Sequence, residues 1–196
     1  MADQDAEDRL EALNTLDQFI LLLLAASGNK PVPGALWLQK EIYLLQKIFP
    51  NLAEETDFAP YCYGPYSEIL TDEMEVLKDS NLISVEGKAF ALTPGGKKLA
   101  GELQTRVQKK SMEKIEEFKG LLNDLSGDEL LAFVYFSHEN PDELEKESLE
   151  YCRLSKIRKP LAMSLYKKDK VSVQKAAQIA GIGIEEFISE VKKMVK

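Results

Sequence analysis

Residues 61–94 read YCYGPYSEILTDEMEVLKDSNLISVEGKAFALTP. Gly64-Pro65 is strong chain punctuation, and proline suits a first helical turn because the N–H it lacks has no intrahelical partner there. The spacing of Tyr66, Ile69, Leu70, Met74 and Leu77 predicts an amphipathic helix to about Asp79, with these five side chains facing inward. Residues 82–85 and 89–92 are short apolar-polar segments around Glu86-Gly87-Lys88, which predicts a β-hairpin. Thr93-Pro94 then has the chemistry of a helix start, with threonine as N-cap and proline at the first position.

Upstream, residues 7–27 predict one helix. Leu13, Leu16, Ile20 and Leu24 recur at helical spacing, and Leu21, Leu22 and Leu23 widen the apolar face until most of it must be buried. Gly28 and Pro31-Val32-Pro33-Gly34 end it. A second helix is expected over 35–49, striped by Leu38, Ile42, Leu45 and Phe49 and stopped by Pro50, with a loop over 51–64. Helix, helix, helix, hairpin is the order of a winged-helix domain, expected to fill 1–93. Downstream, 94–196 predicts one long helix to about residue 124, and then a capping box from Ser126 and Glu129. Asn140-Pro141 with Glu143 marks another helix start, and Pro160 precedes a short helix. Two tail helices over 172–180 and 184–195 are separated by Gly181-Ile182-Gly183. The fold class expected is mainly α: a winged-helix domain (three helices plus β-hairpin) followed by a helical C-terminal region with a helix-turn-helix.

Composition excludes several functions. The chain has 196 residues, 44% hydrophobic and 30% charged, which is enough to bury a core without staples. Two cysteines, Cys62 and Cys152, make no disulfide framework or cysteine-rich zinc site, and the single His138 rules out centres that need two imidazoles. No cofactor or metal is expected. The acidic start and an apolar run of only residues 19–26 fit neither a secretory signal nor a bilayer span, so the expectation is a cytoplasmic protein with reduced thiols and no membrane contact. Gly95-Gly96-Lys97-Lys98 follows a hairpin rather than a buried parallel strand, so it does not read as a phosphate loop.

The net charge of −8 hides strong asymmetry. Residues 1–94 hold 6 basic and 16 acidic side chains, whereas 151–196 hold 11 and 4. Arg153, Lys156, Arg158, Lys159, Lys167, Lys168, Lys170 and Lys175 crowd into 23 residues. They suit either ion pairing within the fold or a surface for an acidic partner or phosphates. No Trp or Phe interleaves them, which disfavours base stacking.

The helix after Pro65 decides between kinds of partner. In a DNA-reading winged helix the third helix enters the major groove and needs polar or basic side chains outward. Here Glu68, Asp72, Glu75 and Asp79 are spaced 4, 3 and 4, so they form one stripe, and Lys78 is the helix's sole cation. Phosphates would repel that stripe. It fits a solvated or protein-contacting face. Tyr61, Tyr63 and Tyr66 either pack the loop onto the core or present a rigid aromatic patch to a protein. Cys62, Cys152 and Trp37 read as packed side chains, and His138 as a helix-end residue.

Two resemblances add to this. On Leu38-Gln39-Lys40, Tyr43-Leu44-Leu45, Tyr61, Tyr63-Gly64-Pro65-Tyr66-Ser67, Leu70, Leu77, Leu82-Ile83 and Leu92-Thr93, residues 10–100 resemble the YwgA-like family and, more distantly, the Panacea (SocA-like) family. That resemblance implies a prokaryotic regulator, often an antitoxin, without catalytic residues. Residues 165–187, with Lys167-Lys168, Ser172, Lys175-Ala176-Ala177, Gly181 and Phe187, are similar to the small helix-turn-helix of VapB-type antitoxins. Gly183 stands where that pattern has Ser or Asp as cap.

The expectation is therefore a non-enzymatic regulatory or protein-interaction module of the antitoxin type. Its partner would be a protein, and the long amphipathic helix points to a homodimer. The alternative is a DNA-binding transcriptional regulator that uses the basic C-terminal region.

Overall fold

The structure is a computed structural model, and it describes residue 7, residues 9–137 and residues 144–194. Its elements are α1 (Thr15–Asn29), α2 (Ala35–Gln46), α3 (Pro50–Ala53), α4 (Glu68–Asp79), β1 (Ile83–Glu86), β2 (Ala89–Leu92), α5 (Pro94–Arg106), α6 (Lys109–Leu122), α7 (Gly127–Ser137), α8 (Leu149–Lys156), α9 (Arg158–Lys167), α10 (Val173–Ala180) and α11 (Ile184–Met194). The chain is mainly helical with one two-stranded sheet. It divides into two compact units. One holds the chain up to Phe58 plus Tyr66–Asp124, and the other holds Ala59–Pro65 with the chain from Leu125 onward. Residue 94, expected to open a second domain, lies inside the first unit.

In the first unit α1 is the central element. Leu16, Ile20, Leu21, Leu22, Leu23 and Leu24 are all buried, as a helix apolar on every side requires. It packs against α3, α4, α5, α6 and β2. The predicted helix over 7–27 is broken. Asn14 caps α1: its side chain accepts from Asp17 N at 2.8 Å, and Asp17 Oδ2 accepts from Asn14 N at 3.2 Å. This reciprocal box outcompetes helix continuation through Leu13. At the other end Ser27 and Gly28 adopt left-handed angles (φ 54° and 66°).

Three further boundaries differ from expectation. First, α2 stops at Gln46, and Pro50 opens the short α3 instead of ending α2. Next, α4 begins at Glu68 rather than Pro65, because Ser67 is its cap and accepts from Leu70 N at 3.2 Å. Last, the long helix expected from 94 to 124 is two helices, broken where Val107 turns extended (ψ 141°). Both lie on α1, which removes the reason given for dimerisation through that helix.

The hairpin matches expectation, with Ile83 opposite Leu92 and Glu86 opposite Ala89. Val32 pairs with Phe90 through two 2.9 Å backbone hydrogen bonds, so the proline-flanked Val32 extends the hairpin by one bridge. The expected cap at Thr93 is present and has a second role. Its hydroxyl donates to Asn81 O at 2.6 Å and accepts from Gly96 N at 3.0 Å. A Cβ on Gly96 would lie 1.9 Å from Leu82 O. The Gly95-Gly96 pair thus serves close packing of α5 on the turn before β1.

Helix α6 fastens the last turns of α1 and the segment that follows. Lys119 Nζ donates to Leu24 O at 3.0 Å and Ala26 O at 2.9 Å, Glu116 accepts from Ser27 N at 2.6 Å, and Asn123 donates to Pro31 O at 2.9 Å. Lys119 is fully buried, as is Glu41, whose two carboxylate oxygens have no hydrogen-bond partner among the described residues. Burial pushes the Glu41 carboxyl up to about 8, against the pull of Lys119.

In the second unit the box of Ser126 and Glu129 is present, with Glu129 Oε2 accepting from Ser126 N at 2.8 Å. The start expected at Asn140-Pro141, with Glu143, lies outside the described residues, as does His138. Downstream, α8 is capped by Ser148, which accepts from Tyr151 N at 3.1 Å. Pro160 is the third residue of α9 rather than its forerunner. The tail pair α10 and α11 matches expectation, and Gly181 takes the left-handed C-cap of α10 at φ 71°.

Candidate functional site

Two surfaces were singled out by sequence, and each takes its form from its own unit. The first is the outward face of α4. Gln39, buried on α2, fixes its start: Gln39 Nε2 donates to Ser67 O at 2.9 Å, and Gln39 Oε1 accepts from Ser67 N at 3.0 Å. Tyr66 closes that end through a 2.9 Å hydrogen bond between its hydroxyl and that of Thr71. Leu70, Met74 and Leu77 turn inward. Glu68, Asp72, Glu75 and Asp79 are exposed, as expected, and Lys78 pairs with Glu75 at 2.7 Å. Ile69, expected inside, is 46% exposed, and Val76 is 53% exposed. They lie seven residues apart, so both sit on one line beside the acidic stripe. Seven-residue spacing was visible in the sequence. Ile69 reads as core only when Tyr66, three residues before it, is set on the inward stripe, and Tyr66 lies outside the helix, ahead of the cap Ser67.

The tyrosine patch does not form one cluster within a unit. Tyr66 belongs to the first unit, and Tyr61 and Tyr63, each 54% exposed, belong to the second. The Tyr135 hydroxyl holds their segment by donating to Cys62 O at 3.0 Å. Cys62 and Cys152, expected to be packed, are both exposed. The apolar neighbours of Cys62 are tyrosines that point outward, so they give its thiol no cover.

The second surface is the basic segment, and most of its cations are engaged inside their own unit. Arg153 bridges Glu150 and Asp128, with distances of 2.6 and 2.5 Å. Arg158 lies over the Phe136 ring, 4.3 Å from its centroid. Its Nε donates to Ile179 O at 2.6 Å and its Nη2 to Gln178 O at 3.0 Å, so it caps the last carbonyls of α10. Lys159 pairs with Glu186 at 3.1 Å and Glu190 at 3.6 Å. Lys168 meets the buried Glu129 at 2.7 Å, beside Ser164 at 2.6 Å. Burial alone would raise the Glu129 carboxyl, but the hydrogen bonds from Lys168, Ser164 and Ser126 outweigh it and hold it down at about 2. Lys175 donates to Ser137 O at 3.2 Å and Gln178 Oε1 at 3.0 Å. Lys156 and Lys167 are exposed, and Lys170 is half-buried. Spacing showed that these cations cluster. Which of them reach a carboxylate or a helix end depends on how α7 to α11 cross, which no local pattern encodes.

A half-open cavity of about 210 Å3 in the first unit lies between α1, α6 and the start of α3. Phe19, Leu22, Phe49 and Ile115 line it together with Gln18 and Ser111, and it contains no ionisable side chain. Among the described residues, no three acidic, histidine or cysteine side chains are placed to hold a metal ion, and no helix is long and apolar enough to cross a membrane.

No curated protein matches the chain. The YwgA-like and Panacea resemblance of residues 10–100 has no family model behind it. Residues 135–194, from the end of α7 through α11, match the model of an uncharacterised protein family, UPF0175.

Proposed function

We propose that this chain is a non-enzymatic regulatory protein of the antitoxin type, built on a winged helix with a helix-turn-helix tail. The outward face of α4 would dock a protein partner. The observation that supports this most is the composition of that face: four carboxylates beside two exposed aliphatic side chains, Ile69 and Val76. Such a face repels phosphates and complements a protein segment that is basic and partly apolar. The family matched by residues 135–194 is often antitoxin-like, which accords with the same reading. A regulator of this kind acts in the cytoplasm, where exposed Cys62 and Cys152 remain thiols.

The test is co-expression of the full chain with the product of the adjacent gene. The complex is expected to survive purification with the unaltered chain and to be lost with I69D/V76D, whose sites are exposed. A complex that tolerates both changes removes α4 as the docking face. The alternative, a DNA-binding regulator, keeps Lys156 and Lys167 as exposed cations. It requires duplex binding that weakens steeply with salt.

A further inference from the structure

Helix α11 is apolar along more than one line. Phe187 is fully buried and anchors the helix to its own unit, with its ring edge-on to Tyr166 at 5.7 Å. A second line consists of Ile184, Ile188 and Val191, spaced 4 and 3, which is the repeat of a coiled-coil seam. Val195 continues it in sequence, outside the described residues. This line is only partly covered within its unit: Ile184 is 46% exposed, and Ile188 and Val191 are half-buried.

Charge is sorted along the same helix. Glu185 and Glu186 lie in its first turn, and Lys192 and Lys193 in its last. Glu186 and Glu190 already meet Lys159 on the far side of Phe187. Glu185 and Lys192, seven apart and therefore on one flank of the seam, are exposed and form no ion pair among the described residues.

We propose that two copies of this chain pair through this seam, with the α11 helices antiparallel about a twofold axis at Ile188. The register follows from the sequence. Ile188 meets Ile188 of the second copy once, on the axis, while Ile184 meets Val191 and Glu185 meets Lys192 twice each. A surface with this pattern is self-complementary, as an isologous interface must be. A basic or an acidic partner would satisfy only one half of the helix. Pairing also covers the outward face of the second helix of the helix-turn-helix, the face a groove-reader would need free.

The experiment is sedimentation velocity on the full chain over a concentration series. The unaltered chain is expected to form dimers at high micromolar concentration. E185K alone and K192E alone each place like charges together twice and are expected to weaken the dimer about tenfold. An equimolar mixture of the two variants restores both pairs across a heterodimer, so association should return in the mixture. I188E is expected to abolish it, and the charge variants, lying on the surface, keep the test open if I188E unfolds. A chain that stays monomeric throughout overturns the proposal. So does a dimer indifferent to E185K and K192E, or a mixture no tighter than its components.

Discussion

Replacing Arg158 with methionine tests whether the basic segment is internal machinery or a contact surface. The guanidinium closes two α10 carbonyls at 2.6 and 3.0 Å and lies 4.3 Å from the Phe136 centroid. Hydrogen bonds from a charged donor contribute about 1.5–3 kcal/mol each, and a cation over a ring about 0.5–2 kcal/mol. Methionine keeps part of the stem packing, and the site is only partly buried, so a net loss of about 2–4 kcal/mol is expected. Hydrogen exchange of the full chain reads this locally. Amides of residues 173–180 should lose protection by roughly 30- to 700-fold, at tenfold per 1.4 kcal/mol, and those of α1 should be unchanged. Unchanged protection in α10 would refute the assignment, and loss of duplex binding at full stability would return Arg158 to a phosphate-contacting role.

Other perturbations probe the rest of the molecule. Lys119→Met leaves the Leu24 and Ala26 carbonyls without the ammonium that donates to both. It should destabilise the first unit by about 2–4 kcal/mol in urea unfolding followed by Trp37 fluorescence. Gly96→Ala forces a Cβ against Leu82 O, 1.9 Å away, and should lower stability by more than about 2 kcal/mol, because a backbone atom cannot yield as a side chain can. The Glu41 carboxyl, raised by burial to about 8, keeps its proton in the native state while the unfolded chain has lost it. Its stabilisation is therefore complete below its ordinary value and falls as pH rises toward about 8. Glu41→Gln should remove that fall, which approaches about 1.4 kcal/mol per pH unit. Lys40, lowered by burial to about 7, has the opposite slope above that pH in both proteins. A wild-type stability curve parallel to that of E41Q between pH 5 and pH 8 would contradict the burial argument.

Local chemistry made much of this fold readable. Gly64-Pro65, Thr93-Pro94, the box of Ser126 and Glu129, and Gly181 each act within a few residues, and each marks a boundary or cap that the structure contains, though Pro65, expected in the first turn of α4, lies two residues ahead of its cap Ser67. The breaks at Leu13-Asn14 and Val107-Gln108 were harder. Neither has glycine or proline: the first is set by the box of Asn14 and Asp17, and the second lies where the chain turns to lay α5 and α6 along α1. Burial of Lys40, Glu41 and Lys119 was illegible, since charged residues on a periodic stripe read as surface until a third element covers them. Of the candidate surfaces, the acidic stripe of α4 could be drawn from spacing alone. Its apolar edge, and the internal pairing of Arg153, Arg158, Lys159, Lys168 and Lys175, needed tertiary neighbours to emerge.

The claim on which the functional proposal turns is that most cations of residues 151–175 bind the chain's own groups, and that exposed Lys156 and Lys167 do not by themselves make a duplex-gripping face. Fluorescence anisotropy of a labelled mixed-sequence DNA duplex, titrated at low salt with the full chain, tests it most directly. The signal is predicted to stay flat, and to remain so when Lys156, Lys167 and Lys170 are made neutral. A saturating rise that vanishes with added salt, and with those three substitutions, would contradict it.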